Sequence, residues 1–187
     1  EDHIWIRYVE GESQIMPVDE VALLGDHNLL NVLAACAIAA AAGLPIETMR
    51  TGINSFEGIP HRLEFVRSWG GADWYNDSIA TAPERSMAGI LSFDQSIVLL
   101  AGGRDKDLPW DDFAILVAEK VDHIILFGEA VDIILTALNN SPGDYSVSSC
   151  TNLASAVDTA SQIVSPGDVV LFSPGGTSYD EFFDFAE

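Results

Sequence analysis

Basic residues are scarce in this chain of 187 residues, which has 8 lysines and arginines against 29 aspartates and glutamates and a formal net charge of −21. A surface of this sign repels phosphate backbones and anionic lipids, so we expect no nucleic acid partner and no acidic membrane partner. The scarcity also makes each cation informative, because an anionic ligand must be held by these few side chains and by backbone N–H groups. The cations are Arg7, Arg50, Arg62, Arg67, Arg85, Arg104, Lys106 and Lys120.

Cysteine and long apolar runs are also scarce. Two cysteines, Cys36 and Cys150, cannot form a disulfide framework, and no signal-peptide pattern opens the chain, so we predict a cytoplasmic protein. The longest apolar run, residues 32–44, is short and rich in alanine. It predicts a buried helix and no membrane insertion.

Several motifs that carry chemistry are absent. The sequence has no G-x-x-x-x-G-K-[ST] phosphate loop and no G-x-G-x-x-G dinucleotide fingerprint. Its histidines and cysteines do not cluster at metal-ligand spacing, so no metal site is predicted. Ser173 lies in "SPGG" and not in a G-x-S-x-G elbow, which argues against a hydrolase.

The pattern of apolar segments changes near residue 58. Beyond it, strand-like and helix-like segments alternate about five times, which predicts a Rossmann-like, mostly parallel α/β sheet in residues 58–187. Gly70-Gly71 predicts a hairpin, Thr151 or Asn152 a helix cap, and "DEFFDFAE" a final helix. Residues 1–57 predict one strand, two apolar helices and little sheet. We interpret them as the end of a domain that begins before residue 1, or alternatively as a small helical subdomain.

Ligands of such sheets bind beyond the carboxyl ends of the strands. The segments expected there are "NDSIAT", "GGRDKD", "GEA" and "SPGGTS", three of which are rich in glycine, hydroxyl and aspartate residues. Close backbone approach and helix N-termini favour an anion at this edge, and Arg104 and Lys106 lie in one of the segments. The alternative is that these residues serve only turns and caps, with Lys106 paired to Asp105 or Asp107.

Five motifs follow one another over nearly the whole chain: "GDHNLLNVLAA", "GIPHRLEFV", "WYNDSIAT", "LLAGGRDK" and "GDVVLFSPGGTSYDEFFDF". In this order they resemble the Mur ligase family, and in particular its members that add D-glutamate. The resemblance implies three domains. Residues 1–57 would end the central ATP-binding domain, and residues 58–187 would form the Rossmann-like domain that binds the incoming amino acid.

The resemblance also implies the reaction. ATP phosphorylates the carboxylate of UDP-N-acetylmuramoyl-L-alanine, and the amine of D-glutamate attacks the acyl phosphate, with Mg²⁺ neutralising charge. This step belongs to peptidoglycan synthesis, and so to cell wall biogenesis, cell shape and cell division. The family's phosphate loop would lie upstream of residue 1. We therefore assign no catalytic residue to this chain and expect it to be inactive alone.

Site residues follow from the same motifs. Those that match ATP-binding positions are Asn28, Asn31, Arg62 and Asp77, and those that match D-glutamate positions are Thr81, Lys106, Ser178 and Phe185. The chain departs from the family at Ile79, where lysine is common, and at Ala82, and Arg104 is an alternative source of the lost cation. Three readings therefore stay open besides a D-glutamate ligase: a sister Mur ligase for L-glutamate or a diamino acid, a folylpolyglutamate synthase, and a non-catalytic Rossmann-like module.

Overall fold

The computed structural model describes residues 2–9 and 11–183, which form two compact units that divide between Ile59 and Pro60. The first unit opens with an antiparallel hairpin of β1 (His3–Tyr8) and β2 (Gly11–Pro17), followed by a 3₁₀ turn (Val18–Glu20). Two helices follow, α1 (Asp26–Ala41) and α2 (Ile46–Asn54). The prediction of a single strand here was wrong, because β2 also forms.

The core of the first unit is small. Ile4, Ile15 and Met16 from the hairpin pack with Val32 and Cys36 of α1 and with Met49 of α2. The buried residues of α1 recur at i, i+4 and i+8, so one face of this helix covers the hairpin. The other face of α1 is also apolar and exposes Leu30, Leu33 and Ile38.

The second unit contains a six-stranded sheet in the order β3-β4-β8-β5-β6-β7. Its strands are β3 (Glu64–Trp69), β4 (Ala72–Asn76), β5 (Ile97–Gly102), β6 (His123–Phe127), β7 (Ser146–Ser149) and β8 (Val169–Gly175). Five of them are parallel, and β3 pairs antiparallel with β4 across the predicted Gly70-Gly71 turn. The predicted mostly parallel α/β fold is confirmed.

Helices cover both faces of this sheet. They are α3 (Pro83–Ile90), α4 (Asp111–Lys120), α5 (Val131–Asn139) and α6 (Leu153–Ile163). On one face α3, α4 and α5 bury Ile90, Phe113 and Ile134 against the strands. On the other face Ala156 and Ala160 of α6 pack against β5, β6 and β8. Every residue of β5 is buried, as its unbroken apolar sequence predicts.

Two predictions about helix ends had different outcomes: the cap of α6 and the start of a final helix. Asn152, and not Thr151, caps α6, because its side chain accepts a hydrogen bond from the backbone N–H of Ser155 in a capping box. The predicted final helix does not begin within the described residues, since 178–183 hold turns and a bend. The rest of that segment lies outside the described part of the chain.

Candidate functional site

The loops that follow β4, β5, β6 and β8 lie at one edge of the sheet, because parallel strands end on the same side. Main-chain hydrogen bonds join these loops. The N–H of Gly175 donates to the carbonyl of Ala80 at 2.8 Å, and Arg104 and Thr177 exchange N–H···O bonds of 2.7 and 2.9 Å. The loops after β4, β5 and β8 therefore form one connected surface.

Gly103 allows one of these close approaches. Its φ is +89°, and a Cβ atom placed on it would lie 2.5 Å from the carbonyl oxygen of Thr177. Only glycine combines this backbone angle with this contact. Glycine at the end of β5 thus brings the loop that carries Lys106 against the loop that carries Ser178.

Lys106 and Thr81 meet at this edge. The Lys106 Nζ donates a hydrogen bond of 2.9 Å to the Thr81 Oγ1, although the two residues are 25 positions apart. Among residues 2–9 and 11–183 the ion pairs involve Arg7, Arg50, His61 and Arg104, and none includes Lys106. The alternative in which Lys106 pairs with Asp105 or Asp107 is therefore not what the structure shows.

Arg104 has a different partner from the one expected. Its Nε and Nη2 donate to the two carboxylate oxygens of Glu129 at 2.9 and 3.1 Å. These hydrogen bonds raise the pKa of Arg104 and lower the pKa of Glu129. Arg104 as the cation that replaces a lysine at Ile79 stays a prediction, and its bidentate pairing does not favour it. Ile79 itself is partly exposed.

Ser178 lies in the turn after β8 and is exposed. Its carbonyl accepts hydrogen bonds from the N–H groups of Glu181 and Phe182 at 3.1 and 2.8 Å, which fixes the turn. Ser178 thus shares the sheet edge with Thr81 and Lys106 but belongs to a separate loop. The predicted site residue Phe185 lies outside the described residues.

Asp77 lies beneath this surface and is only 4% exposed. One carboxylate oxygen accepts the N–H of Leu63 at 3.2 Å, and the other accepts the hydroxyl of Ser173 at 2.7 Å. The Ser86 hydroxyl in turn donates to the carbonyl of Ser173 at 2.8 Å. Burial raises the pKa of Asp77, and the two hydrogen bonds together with Arg62 and Arg85 offset part of that rise.

The carboxylate of Asp77 supports a strained turn that carries Arg62. His61 and Leu63 on either side have φ angles of +65° and +44°, which side chains with a Cβ atom rarely adopt. The backbone N–H of His61 donates to Glu64 at 2.8 Å, and the N–H of Leu63 donates to Asp77. Backbone strain of this kind persists where the surroundings hold it, so Asp77 and Glu64 fix the position of Arg62.

Asn28 and Asn31, the remaining predicted ATP residues, lie at the start of α1 in the first unit. The buried amide of Asn28 donates to the carbonyl of Leu24 at 2.8 Å, and Asn31 donates to the Asn28 amide oxygen at 3.4 Å. The two side chains therefore form one polar cluster, with Asn31 exposed.

The titration of Asp77 gives a pH prediction. Because burial holds its folded pKa above the ordinary value of about 4, the folded state keeps a proton that the unfolded state releases. This contribution to stability is complete below that ordinary value and is lost as pH rises through the folded pKa. We expect the free energy of unfolding of the wild type, relative to Asp77→Asn, to fall as pH rises above about 4. Urea unfolding at a series of pH values from there upward measures it, and a constant or rising difference would contradict the prediction.

Three contacts at this edge were not predicted from the sequence. Asp105 accepts hydrogen bonds from the Trp110 indole and from the N–H of Asp107, and Arg104 binds Glu129. The D-x-D spacing in "GGRDKD" is a signal for the bond between Asp105 and Asp107, since aspartate often bonds the backbone two residues on. Nothing in the sequence marks Glu129 as the partner of Arg104.

In the part of the chain that the structure describes, no group of three or more histidine, cysteine, aspartate or glutamate side chains could hold a metal ion. None of its helices is both long enough and apolar enough to span a bilayer.

Comparison with known sequences identifies similar proteins. Residues 61–176 match the family model described as "Mur ligase, glutamate ligase domain". The whole chain is 40% identical to UDP-N-acetylmuramoylalanine–D-glutamate ligase of Symbiobacterium thermophilum and 36% identical to the enzyme of that name from Acetivibrio thermocellus. In both comparisons the chain spans 41% of the relative's length.

Solved structures share the fold at lower sequence identity. MurF from Acinetobacter baumannii aligns with 96% of this chain at a TM-score of 0.72 and 20% identity, over 40% of its own length. Folylpolyglutamate synthase from Mycobacterium tuberculosis, complexed with ADP, aligns with 89% of this chain at a TM-score of 0.69 and 21% identity, over 41% of its own length. At these identities the likeness shows the fold alone.

Proposed function

Because the chain belongs to the Mur ligase family, we propose that it is the C-terminal part of an ATP-dependent ligase that joins D-glutamate to UDP-N-acetylmuramoyl-L-alanine. The names of curated relatives at 36–40% identity support this choice of substrates. The observation that carries the proposal at the level of residues is the contact between Lys106 and Thr81 at the strand-end edge.

The chemistry of that contact suits a carboxylate. The Lys106 ammonium has three hydrogens and gives one to Thr81. Because the Thr81 oxygen accepts that hydrogen, its own hydroxyl hydrogen remains to be donated elsewhere. The pair thus offers donors from a cation and a hydroxyl in a protein whose net charge of −21 otherwise repels anions. We propose that it binds a carboxylate of D-glutamate and orients the amine for attack, with Ser178 and Phe185 as further pocket residues.

ATP and Mg²⁺, when bound, supply the phosphoryl group that activates the acceptor carboxylate and the charge that stabilises its transfer. We propose that Arg62 contacts ATP from its strained turn, and that Asp77 acts on ATP binding by holding that turn. Asn28 and Asn31 are proposed to face the adenine. Mg²⁺ and the phosphates would be bound mainly by residues outside this chain, so the 187 residues alone should have no ligase activity.

A panel of amino acids tests the proposal. The protein required is a polypeptide of the length of the curated relatives that contains these 187 residues. With ATP, Mg²⁺ and UDP-N-acetylmuramoyl-L-alanine, we expect phosphate release that depends on D-glutamate. Preference for L-glutamate or a diamino acid would instead support a sister ligase, and glutamate addition to a folate would support the synthase. No release with any of these substrates would support a non-catalytic module.

A further inference from the structure

The carboxylate of Asp105 is the centre of the loop that carries Lys106. One oxygen accepts the indole N–H of Trp110 at 3.0 Å, and the other accepts the backbone N–H of Asp107 at 2.9 Å. Burial raises the pKa of Asp105, but hydrogen bonds from Trp110 and from the N–H groups of Asp107, Lys106 and Leu108 bring it below the ordinary value. The carboxylate is therefore ionised, and each of its two oxygens accepts a hydrogen bond.

Trp110 ties this carboxylate to the rigid part of the unit. The indole is 2% exposed and packs edge-to-face on Phe113 of α4, with ring centroids 5.1 Å apart. A Cβ atom on Gly175 would lie 2.6 Å from its Cη2 atom, so the ring fills the space up to the end of β8. Trp110 cannot shift without moving α4 or β8. The hydrogen bond from its indole N–H therefore holds the Asp105 carboxylate in one position.

Lys106 lies between Asp105 and Asp107, which are joined by a hydrogen bond. Asp107 on its far side has a φ of +57°, an angle that aspartate tolerates when a local hydrogen bond supports it. The bond from Asp107 to Asp105 supplies that support and closes a turn around Lys106. The turn sets the direction of the Lys106 side chain, whose Nζ reaches Thr81 at 2.9 Å.

We propose that Asp105 is a positioning residue, which holds Lys106 toward Thr81 through its hydrogen bonds to Trp110 and Asp107. The kinetic part of this inference rests on the proposed glutamate site. It differs from the expected role of an acid beside a lysine, which would be to pair with it. No ion pair in residues 2–9 and 11–183 joins Asp105 to Lys106.

For Asp105→Asn, charge repulsion and positioning predict opposite changes in the affinity for glutamate. An acid close to a cation repels an incoming carboxylate, so removing its charge should strengthen glutamate binding. If Asp105 positions Lys106, replacing one of its two acceptor oxygens with an NH2 group should weaken glutamate binding, because only one of the two hydrogen bonds can then form and the ammonium no longer points to one place. Asp107 provides the matched control, since it flanks Lys106 equally closely and its side chain anchors neither Trp110 nor the turn.

The experiment compares Asp105→Asn, Asp107→Asn, Trp110→Phe and Lys106→Ala in the complete ligase. For Asp105→Asn we expect the KM for D-glutamate to rise about five- to twentyfold, with kcat and the KM for ATP nearly unchanged, as for the loss of about one charge-assisted hydrogen bond. Trp110→Phe loses the N–H together with the part of the ring that packs against Gly175, and should move the KM in the same direction. Asp107→Asn should leave it unchanged or lower it, since asparagine suits a positive φ.

Two results would overturn the inference. One is a KM for D-glutamate that stays unchanged or falls in Asp105→Asn, and the other is an equal rise in Asp107→Asn. If Lys106→Ala leaves the KM unchanged, the proposed glutamate site fails instead. In that case hydrogen exchange still tests the positioning role without substrate, because Asp105→Ala leaves no side-chain acceptor, so the N–H of Asp107 should lose protection in Asp105→Ala and keep it in Lys106→Ala. Unchanged protection in Asp105→Ala would then refute it.

Discussion

Replacing Lys106 with alanine should raise the KM of the complete ligase for D-glutamate about ten- to a hundredfold. A charge-assisted hydrogen bond in a closed site contributes roughly 1.5–3 kcal/mol, and tenfold in affinity corresponds to about 1.4 kcal/mol. Lys106 is free of ion pairs in the described residues and already contacts Thr81, so its charge is available to a carboxylate. The KM for ATP should change little, because Arg62 and Asp77 lie in other loops.

Lys120 is the matched control for this variant. It is the only other lysine of the chain and lies in the last turn of α4, which precedes β6 and so lies at the opposite edge of the sheet. Lys120→Ala removes the same charge from the same unit without touching the strand-end loops. Equal KM values for D-glutamate in the two variants would show that Lys106 acts only through net charge. A normal value in Lys106→Ala would remove the main residue-level support for a glutamate pocket.

Replacing Gly103 with alanine should destabilise the second unit by about 3–4 kcal/mol. Placing alanine at a left-handed φ costs roughly 1–2 kcal/mol. The added Cβ would also lie 2.5 Å from the backbone carbonyl oxygen of Thr177. Relief of that contact breaks the paired hydrogen bonds between Arg104 and Thr177, each of which contributes about 1 kcal/mol. Urea unfolding followed by tryptophan fluorescence measures the loss, since Trp69, Trp74 and Trp110 all lie in the second unit.

Gly167→Ala separates the cost of the backbone angle from the cost of the contact with Thr177. Gly167 has a φ of +95°, close to the +89° of Gly103, but a Cβ atom on it would meet nothing within 4 Å. We therefore expect Gly167→Ala to cost only the backbone term, about 1–2 kcal/mol. Similar losses in the two variants would mean that the contact between the loops after β5 and β8 adds no stability.

The sequence predicted most of the second unit because its elements are set by local periodicity. The unbroken apolar run of β5 and the Gly-Gly turn between β3 and β4 each identify their element without tertiary information. The strand β2 was missed because "GESQIMP" neither alternates nor contains a run of β-branched residues. Its Ile15 and Met16 are adjacent, and pairing with β1 makes the segment a strand.

The site was predictable in its location but not in its contacts. Parallel strands place all their carboxyl ends at one edge, so Thr81, Lys106 and Ser178 could be assigned to that edge from topology alone. The partner of each cation could not be assigned, because Thr81 and Glu129 are each 25 positions from the residue that binds them. Asp77 was expected to approach ATP, and only the structure shows that both its carboxylate oxygens bind protein donors.

The position of β8 in the sheet has a consequence for how the second unit is made. This strand is the last one in the described residues, yet it pairs with β4 on one side and β5 on the other. Until residues 169–175 have left the ribosome, β4 and β5 lack the strand that joins them, so each has an edge that its native partner cannot cover. The second unit can therefore fold cooperatively only after β8 has been synthesised. Until then the nascent chain exposes two unpaired strand edges that can pair with other chains.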